Sequence, residues 1–380
     1  MTVGTASMEQ RRFGKTQRHI SVASLGTMRL PTAKVATAVV QGAVAQGINH
    51  IETAPAYGQV EKYLGQAFLG QALAMVPRPE LFITTKLTPT ADADAMERRL
   101  EASLQDLGLD YIDGLAVHGL NTAEHLAQVQ GGMLTGMQRL VADGRVRHLG
   151  FSTHGPLTVV MGAIATQAFD FINLHYYYFD QHLAPAIAAA HRQDMGIFII
   201  SPADKGGLLH QPPDRLKALC APFDPLHLTY RWLLSDPRIT TLSIGPATLQ
   251  ELQDLPQLST APLGAAEQAA ISRLEAAAAQ TLGTDRCSQC YQCLPCSEAI
   301  NIPQVLRLRN LAVAYDMTAY GQYRYRMLEN AGHWFPGRQG HRCTDCGDCL
   351  PRCPEALPIP TLLRDAHDRL QGPSRRRLWQ

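Results

Sequence analysis

The sequence predicts an α/β fold: a closed (β/α)8 barrel followed by a small, mostly helical, cysteine-rich domain. Three observations carry that expectation. Between about residues 20 and 245, short β-branched or apolar runs alternate with amphipathic, often alanine-rich stretches. Such alternation implies a parallel sheet with helices outside it, and eight repeats in about 250 residues suit a closed barrel. A doubly wound sheet fits the alternation too, but no G-x-G-x-x-G follows the first strand, which weakens that choice. Near the C-terminus one cysteine signature occurs twice.

The expected strands, in order, are Ser21–Leu25, Ile48–Thr53, Leu81–Lys86, Tyr111–Val117, Val146–Phe151, Phe169–Leu174, Gly196–Ser201 and Thr240–Ile244. Helical patterns between them include Thr32–Gln46, Asp94–Leu107, Leu183–Gln193 and Leu226–Ser235. A helical run, Ile271–Gln280, ends at Thr281-Leu282-Gly283-Thr284, where composition shifts to cysteine, tyrosine and arginine. We therefore expect a barrel domain over residues 1–280 and a second domain over 281–380. Gln304–Asn330 reads as mostly helical, and its Tyr315, Tyr320, Tyr323 and Tyr325 are expected to pack over whatever the cysteines hold.

The first cysteine run is Cys287, Cys290, Cys293 and Cys296; the second is Cys343, Cys346, Cys349 and Cys353. The copies also match at Glu298-Ala299 with Glu355-Ala356, at Ile302-Pro303 with Ile359-Pro360, and at Leu306 with Leu363. Arg352 is one extra residue in the second copy. Three cysteines at i, i+3 and i+6 reach three corners of a cubane, and C-x2-C-x2-C followed closely by another Cys is the bacterial ferredoxin pattern. Zinc uses two separate C-x2-C pairs and leaves the third equally spaced cysteine idle. Disulfides need an oxidising compartment, and Met1–Arg12 lacks the apolar stretch of a secretory signal. Cys220 stands apart from both runs and reads as an apolar filler.

Charge excludes other classes. A net charge of +1 argues for neither a nucleic-acid partner nor an anionic membrane. No apolar run approaches the length that spans a bilayer. A cytoplasmic location is the expectation. The basic run Ser374-Arg375-Arg376-Arg377 reads as a solvated end.

Working residues of such barrels sit at the C-terminal ends of strands. Those ends give Glu52 after the second strand, Tyr57 in the loop beyond, Lys86 ending the third and His118 just past the fourth. Together they make a proton-transfer site. A nearby ammonium lowers the pKa of a tyrosine, a carboxylate pins the lysine, and a histidine orients a substrate carbonyl. Singly, each has a structural alternative: a packing ring, a snorkelling side chain, a capped core histidine.

These residues bring out a resemblance. Ile51-Glu52-Thr53-Ala54-Pro55-Ala56-Tyr57-Gly58, with Glu61 and Leu64-Gly65, looks like the strand-two signature of the aldo/keto reductases. Phe82–Lys86 and Val117-His118-Gly119 look like that family's lysine and histidine segments. Arg11–Thr16, Leu25-Gly26-Thr27-Met28-Arg29 and Gly144–Ser152 are similar to its opening and its strand five, and the likeness runs from about Met8 to Asp254. With the cysteine region added, the chain resembles the subfamily with a C-terminal ferredoxin-like 4Fe–4S domain on a TIM barrel.

The resemblance implies NADP- or NAD-dependent reduction of a small-molecule carbonyl, with Tyr57 donating the proton and Lys86, Glu52 and His118 assisting. It implies cofactor contacts at Gly26, at Ser152 and Asn173 for the carboxamide, and at Ser201, Pro202, Lys205, Gly206 and Leu208 for the pyrophosphate. Gly245, Thr248 and Glu251 would take the adenosine end. The ferredoxin-like arrangement implies two 4Fe–4S clusters, one on Cys287, Cys290, Cys293 and Cys353, the other on Cys343, Cys346, Cys349 and Cys296.

Three points depart from the pattern. Glu52 stands where the family usually has aspartate, and catalytic geometry tolerates only about half an ångström of slack. Ile200 stands where a ring often stacks on the nicotinamide, and Leu242–Asp254 holds no Arg or Lys to grip a 2′-phosphate. A nicotinamide also delivers electrons in pairs whereas clusters pass them singly, and a flavin normally splits the pair. A barrel mouth binds a flavin without a sequence motif, so a flavin stays open, as does an external one-electron carrier such as ferredoxin. The competing expectation is a non-catalytic nucleotide- or redox-sensing scaffold in which Glu52 marks a decayed site.

Overall fold

The buried, β-branched runs of the first part of the chain do pair as parallel strands, preceded by an element the alternation hides. In the computed structural model, residues 8–68 and 76–372 are described; the basic run at Ser374–Arg377 lies outside them. A short antiparallel hairpin, β1 (Gln10–Arg12) and β2 (His19–Ser21), comes first. The next strands are β3 (Ala23–Gly26), β4 (His50–Glu52), β5 (Phe82–Leu87) and β6 (Ile112–Val117). They are followed by β7 (Val146–Thr153), β8 (Phe171–Leu174), β9 (Gly196–Ile199) and β10 (Thr241–Ile244). Pairing of β10 with β3 closes an all-parallel barrel of these eight strands. Ser21, expected in the first barrel strand, pairs instead with Gln10 in the hairpin. Ser201, expected to end the seventh, lies beyond β9 with a left-handed backbone, φ 52°.

Between strands run amphipathic helices such as α1 (Ala33–Ala45) and α2 (Val60–Ala67), then α3 (Ala93–Leu107). Thr32 and Asp92 cap α1 and α3 by accepting from Val35 N and Ala95 N, satisfying donors that a helix start leaves orphaned.

The barrel interior is layered. At the end where strands begin, the hairpin inserts Phe13 and Ile20 against Phe82, Phe171 and Phe198, all fully buried. The Phe13 ring lies 5.6 Å from Phe82, edge-on, and 5.3 Å from Phe171. Above this plug is a polar layer. Ser24 Oγ is 2.6 Å from His50 Nδ1 and 2.8 Å from Thr241 Oγ1, and His50 Nε2 is 3.0 Å from Thr84 Oγ1. Burial, reinforced by the charge of Lys86, pushes His50 down to about 3.

The chain divides into two compact units, residues 1–202 with 229–262, and residues 203–228 with 263–380. The first holds the barrel. The second is built from α4 (Asp214–Cys220), α5 (Ala265–Leu282), α6 (Ile302–Tyr315), α7 (Thr318–Tyr325) and α8 (Ile359–Leu370). Arg273 of α5 donates to Leu219 O, and Tyr315 of α6 donates to Leu274 O. Each cysteine run leads into a helix with proline at its second position, Ile302-Pro303 opening α6 and Ile359-Pro360 opening α8. The duplication extends to the backbone. Left-handed residues recur at matching places: Gln289 with Asp345, Tyr291 with Gly347, and Ala299 with Ala356. Such conformations persist at non-glycine residues only where the surroundings fix them. No helix among the described residues is long and apolar enough to cross a membrane.

Two predictions follow from the barrel's interior. Gly150 faces the Phe171 ring so closely that an added Cβ would lie 2.3 Å from it. Gly150→Ala should therefore destabilise the protein by about 1–3 kcal/mol through overpacking, measured by urea unfolding, and shaving the ring with Phe171→Leu should recover part of the loss. The second concerns acid. Folding holds His50 neutral, so the unfolded chain binds a proton there that the native barrel refuses. Stability is complete above about pH 6.5 and declines as pH falls toward 3, with a slope of at most about 1.4 kcal/mol per pH unit. Unfolding free energies between pH 6.5 and 4.5 should slope less for His50→Gln; an equal slope in both proteins would contradict the assignment.

Candidate functional site

At the opposite end of the barrel from the Phe13 plug, β4 and β5 bring two charges together inside the wall. Glu52 ends β4 and Lys86 is the penultimate residue of β5, and both are 3% exposed. Lys86 Nζ donates to Glu52 Oε1 and, at 2.8 Å, to Thr53 O. Glu52 therefore reaches Lys86 despite its extra methylene. Burial lowers the Lys86 pKa well below its ordinary value, and the carboxylate is the counter-charge that lets the ammonium remain there.

Tyr57 closes the short 3-10 turn Pro55–Tyr57 that follows β4. Its ring stands edge-on to His118, centroids 5.7 Å apart, and Lys86 Nζ lies 4.7 Å from its centroid. The residue reading expected the ammonium to lower the Tyr57 pKa. Burial outweighs that effect and raises it instead. A tyrosine in that state keeps its proton until a partner takes it.

Two further candidates stand on the next strands. Ser152 of β7 accepts from Gly119 N at 3.1 Å. Asn173 of β8 is fully buried, and both its Oδ1 and Nδ2 lack a hydrogen-bond partner among the described residues. A buried amide left unpaired costs free energy, and its donor and acceptor match those of another amide. Asn173 therefore fits a carboxamide.

Two histidines here escaped the linear reading. His154 follows β7 and His175 follows β8, with Nε2 atoms 3.2 Å apart. Tyr177 donates to Ile200 O at 2.6 Å, so its oxygen accepts from His175 Nδ1–H. That leaves His175 Nε2 to accept from His154. The signal that finds them is the one that found His118: the residue just past each strand.

The remaining barrel candidates have visible structural partners. Gly26 ends β3, where a Cβ would meet Ser243 Oγ at 2.6 Å. Thr248 caps the short helix Leu249–Gln253 by accepting from Glu251 N. Glu251 pairs with Arg29 at 2.8 Å, and Arg29 also donates to Gly245 O. A cation from the β3 loop thus stands beside Leu242–Asp254, paired with Glu251. Pro202 is buried beside Ser201.

Lys205, Gly206 and Leu208 belong to the second unit. Burial, then the neighbouring charge of Arg324, pushes Lys205 down to about 8. Tyr320 Oη donates to Lys205 O at 2.5 Å, and Gly207, at φ 144°, leaves room where a Cβ would meet Met317 Cε at 2.6 Å.

The second unit also contains two cavities. One is lined by Cys287, Cys290, Cys293 and Cys353. The other is lined by Cys296, Cys343, Cys346 and Cys349. Each thus faces three thiols of one run and the last thiol of the other. Leu306, Leu357 and Ile359 pad the first cavity, and Ile300, Ile302 and Leu363 the second. Among the described residues no group of three or more His, Cys, Asp or Glu is set to hold a single metal ion; the donors ring a volume. The four tyrosines expected as cover line neither cavity. Tyr315, Tyr320 and Tyr325 are spent on Leu274 O, Lys205 O and Gly340 N. Cys220 is buried in α4, where burial pushes its thiol up to about 12.

Comparison with known proteins agrees with both halves. Residues 23–276 match the aldo/keto reductase family and residues 286–357 match a 4Fe–4S dicluster domain. The chain is 33% identical over 221 residues to an aldo-keto reductase of Mycolicibacterium vanbaalenii, covering 56% of this chain and 74% of that one. It is 29% identical over 224 residues to an L-galactose dehydrogenase of Arabidopsis thaliana, covering 54% of this chain and 69% of that one. The aldo-keto reductase AKR11C1 of Bacillus halodurans shares its fold, with a TM-score of 0.59 at 20% identity over 70% of this chain and 96% of that one. The chain is an oxidoreductase that belongs to the aldo/keto reductase family and carries a 4Fe–4S dicluster domain.

Proposed function

We propose that this protein reduces a small carbonyl compound with NADPH or NADH at the barrel mouth, and that its cysteine-rich domain holds two 4Fe–4S clusters for electron transfer. The observation that carries the first part is the gathering of Tyr57 and His118 around a Lys86 whose charge Glu52 meets inside the barrel. A bound reduced nicotinamide supplies hydride to the carbonyl carbon. Tyr57 gives its hydroxyl proton to the carbonyl oxygen, so C=O becomes C–H and O–H. Burial keeps Tyr57 protonated beforehand, which makes it an acid rather than a base. The nearby ammonium favours the phenolate left behind, and His118 orients the carbonyl oxygen by hydrogen bonding. Asn173, with Ser152, holds the carboxamide. Within the barrel unit, Ser201, Pro202, Gly26, Gly245, Thr248 and Glu251 contact the nucleotide; within the second unit, the turn at Lys205, Gly206 and Leu208 binds pyrophosphate. Glu52 reaches Lys86 despite its added length, so the departure that suggested a decayed sensor no longer favours one.

The cluster assignment rests on the two cavities. One set is Cys287, Cys290, Cys293 and Cys353; the other is Cys343, Cys346, Cys349 and Cys296. Clusters pass electrons singly, which suits exchange with an external carrier such as a ferredoxin.

Tyr57→Phe keeps the ring and removes the proton. It should lower turnover by about 10²–10⁴-fold with little change in nucleotide affinity, measured as NAD(P)H oxidation over a panel of aldehydes and ketones. Full turnover in that variant would place the proton donor elsewhere. Protein prepared without oxygen should contain about eight irons and eight sulfides per chain; about four of each would refute two clusters. Cys353→Ala should deplete the cluster of Cys287, Cys290 and Cys293 selectively, read by electron paramagnetic resonance of the reduced protein.

A further inference from the structure

An unbroken set of contacts runs through the second unit from the first cysteine run to the Lys205 turn. Tyr291 lies between Cys290 and Cys293 and lines their cavity. Its hydroxyl oxygen accepts from Gln304 Nε2 at 2.8 Å, and Gln304 Oε1 accepts from Arg307 Nε at 2.9 Å. The Arg307 guanidinium lies 5.9 Å from the centroid of the Tyr320 ring. Tyr320 Oη then donates to Lys205 O at 2.5 Å. Gln304, Arg307 and Tyr320 are each 5% exposed or less, so the middle of this path is shielded from water. Asn310, on the same helix as Gln304 and Arg307, donates to Cys287 O at 3.1 Å, giving α6 a second hold on the run. The other cavity is lined by none of these residues.

We propose that this network couples phosphate binding at the Lys205 turn to the redox state of the cluster in the Cys287 cavity, with Tyr320 as the positioning residue at the turn. The inference rests on the reading that the turn binds nucleotide pyrophosphate and that the cavity holds a cluster. Its sign follows from charge. One electron added to the cluster and the phosphates at the turn are both negative, and a buried, ordered path screens them poorly. Bound nucleotide therefore makes this cluster harder to reduce, and reduction loosens the nucleotide by the same factor, because linkage between two equilibria is reciprocal. The second cluster does not respond.

The test is a mediated redox titration of the intact, cluster-loaded protein, followed by electron paramagnetic resonance, with and without ADP-ribose or its 2′-phosphate. These probes carry the pyrophosphate but no nicotinamide, so they neither donate nor accept hydride. Nucleotide should lower the midpoint of one cluster and leave the other in place; a tenfold linkage corresponds to about 59 mV for a one-electron couple. Tyr320→Phe removes only the hydroxyl, and Gln304→Leu cuts the path near Tyr291. Each should at least halve the shift while iron content stays at the wild-type value. If Tyr320→Phe fails to load, the wild-type titration and Gln304→Leu decide. Bound probe with unmoved midpoints overturns the coupling and leaves the nucleotide reading standing. Equal shifts of both clusters, retained in the variants, also overturn the network. Failure of the wild-type protein to bind either probe, or NADPH or NADH, removes the nucleotide reading and this inference with it.

Discussion

A lysine ammonium inside a barrel wall must find a carboxylate there, and much of this protein is arranged around that constraint. Lys86 is held on one strand and Glu52 on its neighbour, in direct contact. Removing either partner would strand a buried charge, which typically costs about 3–5 kcal/mol. Strand pairing fixes both backbones, so the pair stays in place without flexible loops. Below it, His50 is locked between Ser24 and Thr84 and held neutral, so no second positive charge competes beneath Lys86. Below that, the hairpin seals the barrel with Phe13. The charge therefore has one direction in which to act, toward the mouth, where Tyr57 and His118 stand.

The cysteine-rich domain solves a different problem. Each run supplies three thiols from one tight loop, and the fourth donor for each cavity comes from the other run. Neither loop lines a cavity alone, so a cluster held there would tie the two halves of the duplication together. The helices α6 and α8 that follow the runs begin with the same Ile-Pro step, because proline fits the first turn, where its missing N–H is not needed. The same α6 that hydrogen-bonds the first run also carries Arg307, which faces Tyr320 of α7.

Much of this was legible in the chain. All eight barrel strands appear where β-branched and apolar runs predict them, because a parallel strand buried on both faces reads as a continuous hydrophobic run. The two cysteine runs were legible from their duplicated spacing, whereas the crossing of their fourth thiols was implied only by the resemblance to ferredoxins. What the sequence hid depends on contacts between distant residues. The hairpin plug escaped because Gln10–Arg12 and His19–Ser21 are short and polar. Arg29 escaped as the cation beside Glu251 because it lies 222 positions away. The protonation of Tyr57 was not legible because spacing shows that a lysine is near but not how deeply the ring is buried. His154 and His175 were missed only because the rule that found His118 was not carried on to the fifth and sixth barrel strands. The roles of the second unit's tyrosines depended on acceptors, such as Lys205 O, that no local pattern announces.

In the proposed reaction, hydride passes directly from a nicotinamide to a carbonyl carbon at the Tyr57 end of the barrel. The most direct measurement is isotopic. Anaerobic protein is given a carbonyl substrate together with nicotinamide nucleotide deuterated at the transferable ring position, and the alcohol is analysed by mass spectrometry and nuclear magnetic resonance. Direct transfer places one deuterium on the former carbonyl carbon of every product molecule. Alcohol formed with solvent hydrogen at that carbon, while the deuterated nucleotide is consumed, would contradict it and place the electrons on a route through the clusters or a flavin.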